Sequence, residues 1–326
     1  MNELYPLKFK PVFKDKIWGG QKIRTRLGLD FSPLPNCGEA WILSGVEGSQ
    51  TTVSNGFLEG NELNELVEVY MDDLVGEKVF ARHRNTFPIL VKFIDSSDYL
   101  SIQVHPDDEL AARRNLGNGK SEMWYILDAD KDAELITGFS REVSQKTYLD
   151  HLKANSLKEI LNVEKVSAGD VFYIPSGRVH ALGPGILLAE IQQTSDTTYR
   201  IYDWGRRDEK GNSRELHTDL ALEAIDFRVP PSYRTRYSKG DNKTSGLVTS
   251  PHFITNLITF SQPVNKDYSL LDSFVLYICV EGAAKVSYDS GSETLSRGEA
   301  MLLPAMLEEF LLIPEAECKI LEVFIP

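Results

Sequence analysis

Four side chains with metal-binding donor atoms stand at spacings that could bring them around one cation: Gln103, His105, Glu122 and His180. Gln103 and His105 are two apart in the β-forming run Tyr99 to His105. Alternate side chains of a strand share a face, so both point one way and Ile102 and Val104 point the other. Pro106 ends that run. Glu122 opens a second short run, Glu-Met-Trp-Tyr-Ile-Leu127. Val171 to Ile174 is a third, and the turn composition of Pro175-Ser-Gly177 leads on to His180. Two imidazoles, one carboxylate and one amide oxygen suit Zn²⁺, with Fe or Mn as alternatives. Three strong ligands and one weak neutral ligand leave room for water or substrate, as a catalytic metal requires.

Gly169-Asp-x4-Pro175-x-Gly177-x2-His180 resembles the cupin superfamily, in which a strand-turn-strand delivers a His into a small jelly-roll barrel. Ser101-Ile-Gln-Val-His-Pro-Asp-Asp108, Gly119-Lys-Ser-Glu-Met-Trp124 and Asp196-x3-Arg200, in that order, resemble the short bacterial form of the type I mannose-6-phosphate isomerases. The likeness extends from Lys16-Ile-Trp-Gly-Gly20 and Gly38-Glu-Ala-Trp41 to the C-terminal strands. It implies an aldose–ketose isomerase acting on mannose 6-phosphate and fructose 6-phosphate, with one zinc per chain on Gln103, His105, Glu122 and His180. It implies a catalytic role for Arg200 and a substrate-facing Lys120. Segments matching Trp18 and Glu39 lie near the active-site cleft in that family. Ser121 departs from the pattern, because many relatives have proline there.

The implied chemistry has physical requirements that the residues can be checked against. A proton leaves C2 and arrives at C1, or the reverse, through an enediol. Oxygens that gain negative charge need a cation, and a base must reach the carbon-bound proton. A phosphate needs Arg, Lys, Ser or backbone N–H donors. Lys120 is two before Glu122 and Ser101 two before Gln103, so strand alternation turns both toward the cavity. Glu190, ten residues before Arg200, is a candidate proton carrier; Lys120 and a metal-bound water are others. Arg200 has a competing reading as a salt-bridge partner of Asp196 or Asp203, and Glu190 as a paired barrel carboxylate. Two rival functions use the same scaffold: a cupin oxygenase or lyase on iron, and a non-catalytic sugar-phosphate-binding cupin.

The elements that must position these groups read as mainly β. Short alternating runs predict two cupin-type jelly-roll barrels with small helical insertions. The first domain is expected at 1–227, a linker at 228–250, and a second, degenerate barrel without metal ligands at 251–326. Helical patterns fall at Asn61 to Arg84, broken at Gly76, at Glu142 to Leu161 and at Glu215 to Ile225. Lys92 interrupts the apolar strand at 88–94 and points either inward or to solvent. Asp107 can cap a short helix through Glu109-Leu-Ala-Ala112. The polar run 206–212 is a lid, a rim or a solvated connection. Gly298-Glu-Ala-Met-Leu-Leu-Pro304 repeats Gly169-Asp-Val-Phe-Tyr-Ile-Pro175, and eleven residues after each Gly stand Glu309 and His180.

Bulk properties narrow the partners. The 326 residues carry a net charge of −13, which argues against a nucleic-acid or membrane-surface partner but leaves room for local cations around a sugar phosphate. No protein partner is evident. The three cysteines, Cys37, Cys279 and Cys318, are too few and too scattered for a disulfide framework, which fits a reducing cytoplasm. No signal-peptide pattern opens the chain, and no apolar run approaches the ~20 residues of a membrane span.

Overall fold

Branched and aromatic runs of two to eight residues, separated by Gly, Pro and Asp, become the strands of the computed structural model, which describes residues 3–207 and 211–326. They form two sandwiches. In the first, Glu122–Ala129, Ile186–Gln193 and Ile89–Ser96 are the centre of a seven-stranded antiparallel sheet. It faces a five-stranded sheet ordered Tyr199–Tyr202, Ile102–Val104, His180–Leu182, Glu134–Phe139 and Leu161–Lys165. Trp124, Ile94 and Phe172 from one sheet meet Leu135 and Leu182 from the other in a shared core. In the second sandwich, Ile254–Phe260, Cys318–Phe324 and Val275–Glu281 are central in another seven-stranded sheet. It faces a four-stranded sheet containing Val264–Asp267 and Glu309–Pro314.

The two seven-stranded sheets pack on each other by their outer faces. Met123, Val91 and Ile191 from one share a core with Leu276, Leu321 and Leu257 from the other. Both faces of Ile186–Gln193 and Ile89–Ser96 are therefore covered, and every residue in these two strands is buried. This explains why their sequences do not alternate in polarity. The helical insertions cover what remains. Asp108–Arg113, Gln145–Lys153 and Thr218–Ala224 lie on the outer face of the five-stranded sheet, through Leu110, Tyr148 and Ala221. Leu63–Val75 and Glu77–His83 join the central core through Leu66, Val67 and Val79. Gly76 separates these two helices at φ 90°, and a Cβ there would stand 2.7 Å from the backbone of Asp272. The result is the mainly β fold with helical insertions that the sequence predicts. Asp107 caps its helix as expected, its Oδ1 accepting from the Leu110 N–H at 2.8 Å.

The sheets do not follow the chain's linear division. Leu7–Lys10 pairs with Ala300–Leu303, and Thr52–Val53 pairs with Leu7–Lys10, so N-terminal strands complete the C-terminal sandwich. Segment 228–250 contains Arg234–Thr235, an edge of the first sandwich, and Lys243–Thr249, an edge of the second. As folding units we propose 1–227 and 251–326 joined through 228–250, with these strands exchanged across the division. The polar run 206–212 includes residues 208–210, which lie outside the described residues.

The internal repeat is real in three dimensions. Gly169 and Gly298 have φ 84° and 87°, and each precedes a strand, Val171–Ile174 and Ala300–Leu303. One correspondence differs from the residue count. Glu309 is exposed, and Phe310 takes the inward place in the second barrel that His180 holds in the first. Strand parity decides which of two neighbours faces the core, and a fixed count from a glycine does not carry it.

Candidate metal centre and catalytic pocket

Strand register assembles the ligand candidates. Gln103 sits directly across from His180 on one neighbouring strand and across from Arg200 on the other. His105 continues the same face just beyond Ile102–Val104. The opposing sheet contributes Glu122, the first residue of its strand. Three of the four side chains, His105, Glu122 and His180, are at most 1% exposed.

Both imidazoles are fixed by their outer nitrogen. Nδ1 of His105 donates to the Thr197 carbonyl at 2.9 Å, and Nδ1 of His180 to the Arg178 carbonyl at 2.8 Å. Each Nε2 is thus left unprotonated, with its lone pair aimed inward. His105 Nε2 lies 3.5 Å from Glu122 Oε2, and His180 Nε2 lies 3.3 Å from Glu122 Oε1. The amide end of Gln103 is 3.2 Å from His180 Nε2. Donor atoms at the corners of a tetrahedral zinc site, each about 2.0–2.2 Å from the ion, stand roughly 3.3–3.6 Å apart. The donor set fits a small divalent cation. Glu122 Oε1 is buried without a hydrogen bond, and among the described residues His105, Glu122 and His180 are the one group close enough to share a metal.

Electrostatics reinforce this arrangement. Burial pushes His180 down to about 4 and holds His105 well below the usual histidine range, so both imidazoles are neutral at pH 7, the form that can bind a metal. Burial, with Glu190 nearby, raises Glu122 above the usual carboxylate range. Glu190 goes the other way. Burial opposes its ionisation, but Lys92 and Lys120 outweigh that and keep it a carboxylate. Lys92 is its neighbour across the strand pair, 3.3 Å away, and Trp124 donates its indole N–H to Glu190 Oε2 at 2.9 Å. Glu190 Oε1 makes no hydrogen bond.

A cavity of about 300 Å³ opens over these groups and is lined by Trp18, Glu39, Ser101, Gln103, Lys120, His180, Glu190 and Arg200. Every expected substrate-side residue thus borders one space, and Glu122 and His105 lie just behind it. Arg200 has no carboxylate partner among the described residues. It donates to the Glu215 carbonyl at 2.9 Å, its Nε is unbonded, and Asp203 is taken by Arg206 and Arg214. A larger cleft of about 390 Å³ at the seam of the two barrels has no histidine on its walls, and its Lys319 is paired with Glu281 and Glu317.

Residues 6–149 match the family described as phosphomannose isomerase type I, catalytic domain. The chain is 37% identical over 319 residues to mannose-6-phosphate isomerase ManA of Bacillus subtilis, covering 96% of this chain and 97% of that one. It is 32% identical to mannose-6-phosphate isomerase of Streptococcus mutans, over 94% of each. The chain belongs to the type I mannose-6-phosphate isomerase family. The crystal structure of the Bacillus subtilis mannose 6-phosphate isomerase superposes with a TM-score of 0.88 at 32% identity, covering 98% of this chain and 99% of that one. A putative mannosephosphate isomerase from Archaeoglobus fulgidus, 21% identical, shares the fold at a TM-score of 0.77, over 99% of each chain.

The pocket also has residues that sequence reasoning left undecided or did not assign to it. Lys92 faces the interior, fully within the wall. A lysine in an otherwise apolar strand was the available signal, but one strand alone cannot say which face is polar. Lys16, Asp196, Thr198 and Arg214 also line the cavity. Arg214 follows a polar loop with no periodicity, so nothing local marked it.

Proposed function

We propose that this chain interconverts mannose 6-phosphate and fructose 6-phosphate by proton transfer through an enediol, with one zinc ion held by Gln103, His105, Glu122 and His180. The observation that carries this reading is the coincidence of the donor set with the cavity. Both Nε2 atoms and both Glu122 oxygens meet at tetrahedral-edge distances, and the unpaired Arg200 stands one strand away. When bound, the ion would act as a Lewis acid toward the sugar oxygens at C1 and C2.

The chain's own groups supply the rest. The ionised Glu190 has a free lone pair on Oε1, so it can take the proton from C2 and return it to C1. A hydroxyl proton passes from O2 to O1 at the same time, so no co-reactant is needed. Arg200 stabilises oxygen charge, and its fixed planar fork costs little to orient. Lys120 and Ser101 hold substrate oxygens, while Trp18 and Glu39 line the same cavity. Five cations and three carboxylates line the cavity, which favours a doubly charged phosphate despite the chain's net charge of −13. Three free cysteines support a cytoplasmic location, and no helix of the described residues is long and apolar enough to cross a membrane.

The test is a coupled assay for fructose 6-phosphate with and without a chelator. Activity should vanish with the metal and return with zinc. Full activity in the metal-free protein would sink the metal reading, and a metal-loaded chain that forms no fructose 6-phosphate would sink the isomerase.

A further inference from the structure

Gln193 ends the strand Ile186–Gln193, one residue past the last rung that strand makes with Glu122. Alternation turns Glu190 and Gln192 toward the barrel interior, so Gln193 faces away, behind the pocket wall. It touches no cavity space over the metal site. Two of its hydrogen bonds fall on Ser121, the residue just before the strand Glu122–Ala129. Gln193 Oε1 accepts from the Ser121 N–H at 2.9 Å, and the Gln193 N–H donates to the Ser121 carbonyl at 3.2 Å. The amide's other end, Nε2, donates to Asp108 Oδ1 at 2.9 Å, and the same oxygen accepts from the Gly119 N–H at 2.8 Å. Reversing the amide would set its NH₂ against the Ser121 N–H, so this orientation is dictated by its partners. Ser121 is 2% exposed and Gln193 8%, so water does not substitute readily for these bonds.

Ser121 lies between Lys120 and Glu122. Both of those neighbours project into the site, and a residue that grips the backbone between them fixes the angle of both. Ser121 also accepts from the Ser176 N–H through its hydroxyl at 3.1 Å, which ties the clamp to the turn that leads to His180. We infer that Gln193, braced by Asp108, is a positioning residue that sets Lys120 and Glu122 for metal binding and turnover through the backbone of Ser121. The turnover part of this inference rests on the isomerase reading above; the metal part rests on the donor geometry alone.

The test replaces Gln193 with methionine, which keeps the length and removes both hydrogen bonds, in the full chain and in a Lys120→Met background. Three quantities are read: kcat for mannose 6-phosphate, zinc affinity of the apoprotein by competition with a chromophoric chelator, and Tm. Losing an outer support of this kind is expected to weaken zinc binding and lower kcat by roughly 10- to 100-fold each, with KM changing less than about threefold. In the Lys120→Met background, with kcat read at saturating zinc, the further fall should shrink below about threefold, because the part that acts through Lys120 is gone and saturation offsets the part that acts through Glu122. The same fractional loss in both backgrounds, or zinc affinity and kcat unchanged, overturns the proposal. Gln193→Asn, too short to span Ser121 and Asp108, should weaken zinc in the same direction and decides the matter if the methionine variant does not fold. If the wild-type chain forms no fructose 6-phosphate, the isomerase reading falls, and the zinc affinities still decide whether the clamp exists.

Discussion

The ammonium of Lys120 lies 2.9 Å from Nε2 of His105 and 2.5 Å from Oε2 of Glu122. A ring nitrogen has one lone pair there, so it cannot accept from Lys120 and bind a metal together. On the proposed function, Lys120 would compete with the cation for the donor set, and a loaded site would free its ammonium for substrate. Lys120→Met should bind zinc at least as tightly as wild type, measured by chelator competition. Its kcat should nevertheless fall by roughly 100-fold or more, the scale for losing a charged group that acts in the transition state.

Metal binding should release protons. Glu122 sits above the usual carboxylate range because of burial and Glu190, so below neutral pH the apoprotein carries a proton that the cation must displace. The buried imidazoles add none at pH 6, because burial brings His180 to about 4 and holds His105 well below the usual histidine range. Calorimetry of zinc binding at pH 6 in buffers of different ionisation enthalpy should show release from Glu122, diminishing toward pH 8.

Removing the metal should cost stability in proportion to its binding. A site saturated at 100 times its Kd stabilises the fold by about 2.7 kcal/mol, and Tm should fall by several degrees on chelation. His180→Ala should abolish this zinc-dependent shift and the activity together, as read by calorimetry and the coupled assay.

Lys92 and Glu190 are both buried, so each is the other's compensation. Lys92→Met leaves an unpaired buried carboxylate and should destabilise the fold by about 3–5 kcal/mol, measured by chemical denaturation. The pH dependence follows from the sign of the shift. Lys92 and Lys120 hold the Glu190 carboxyl below its usual range against burial. Without Lys92, burial gains the upper hand and the carboxyl takes its proton at a higher pH. The acid limb of the kcat profile should move toward neutral.

The second barrel supplies a control. Glu322 stands there at the place of Glu190, with Asn256 at the place of Lys92; it accepts from the Asn256 side-chain amide at 2.7 Å and pairs with Lys266 of the facing sheet at 2.6 Å. Glu322→Ala should lower stability by about 3–5 kcal/mol, because it strands Lys266. With Val275 and Phe310 occupying the inward places of Glu122 and His180, kcat of the folded variant should stay at the wild-type value.

What the sequence determined by itself is local in origin. Two-residue alternation put Gln103 with His105 and Ser101, and Lys120 with Glu122, without any knowledge of neighbouring strands. The positive-φ glycines at 169 and 298, followed by a branched strand and proline, exposed the repeat. Helix periodicity and Gly76 located the paired helices near residue 76, and Asp107 its cap. Tertiary structure decided everything that depends on which strand lies beside which. Only pairing of the N-terminal strands with residues 300–303 shows that the two sandwiches exchange elements. Only the packing of two seven-stranded sheets makes both faces of 89–96 and 186–193 interior, which is why Lys92 gave no clear direction in the sequence. Phe310 rather than Glu309 faces inward because side-chain parity is set by the ladder. The grip of Gln193 on Ser121 spans 72 residues of chain. No period or spacing encodes such a contact, because hydrogen-bond partners between strands are chosen by the fold that brings them within 3 Å of each other.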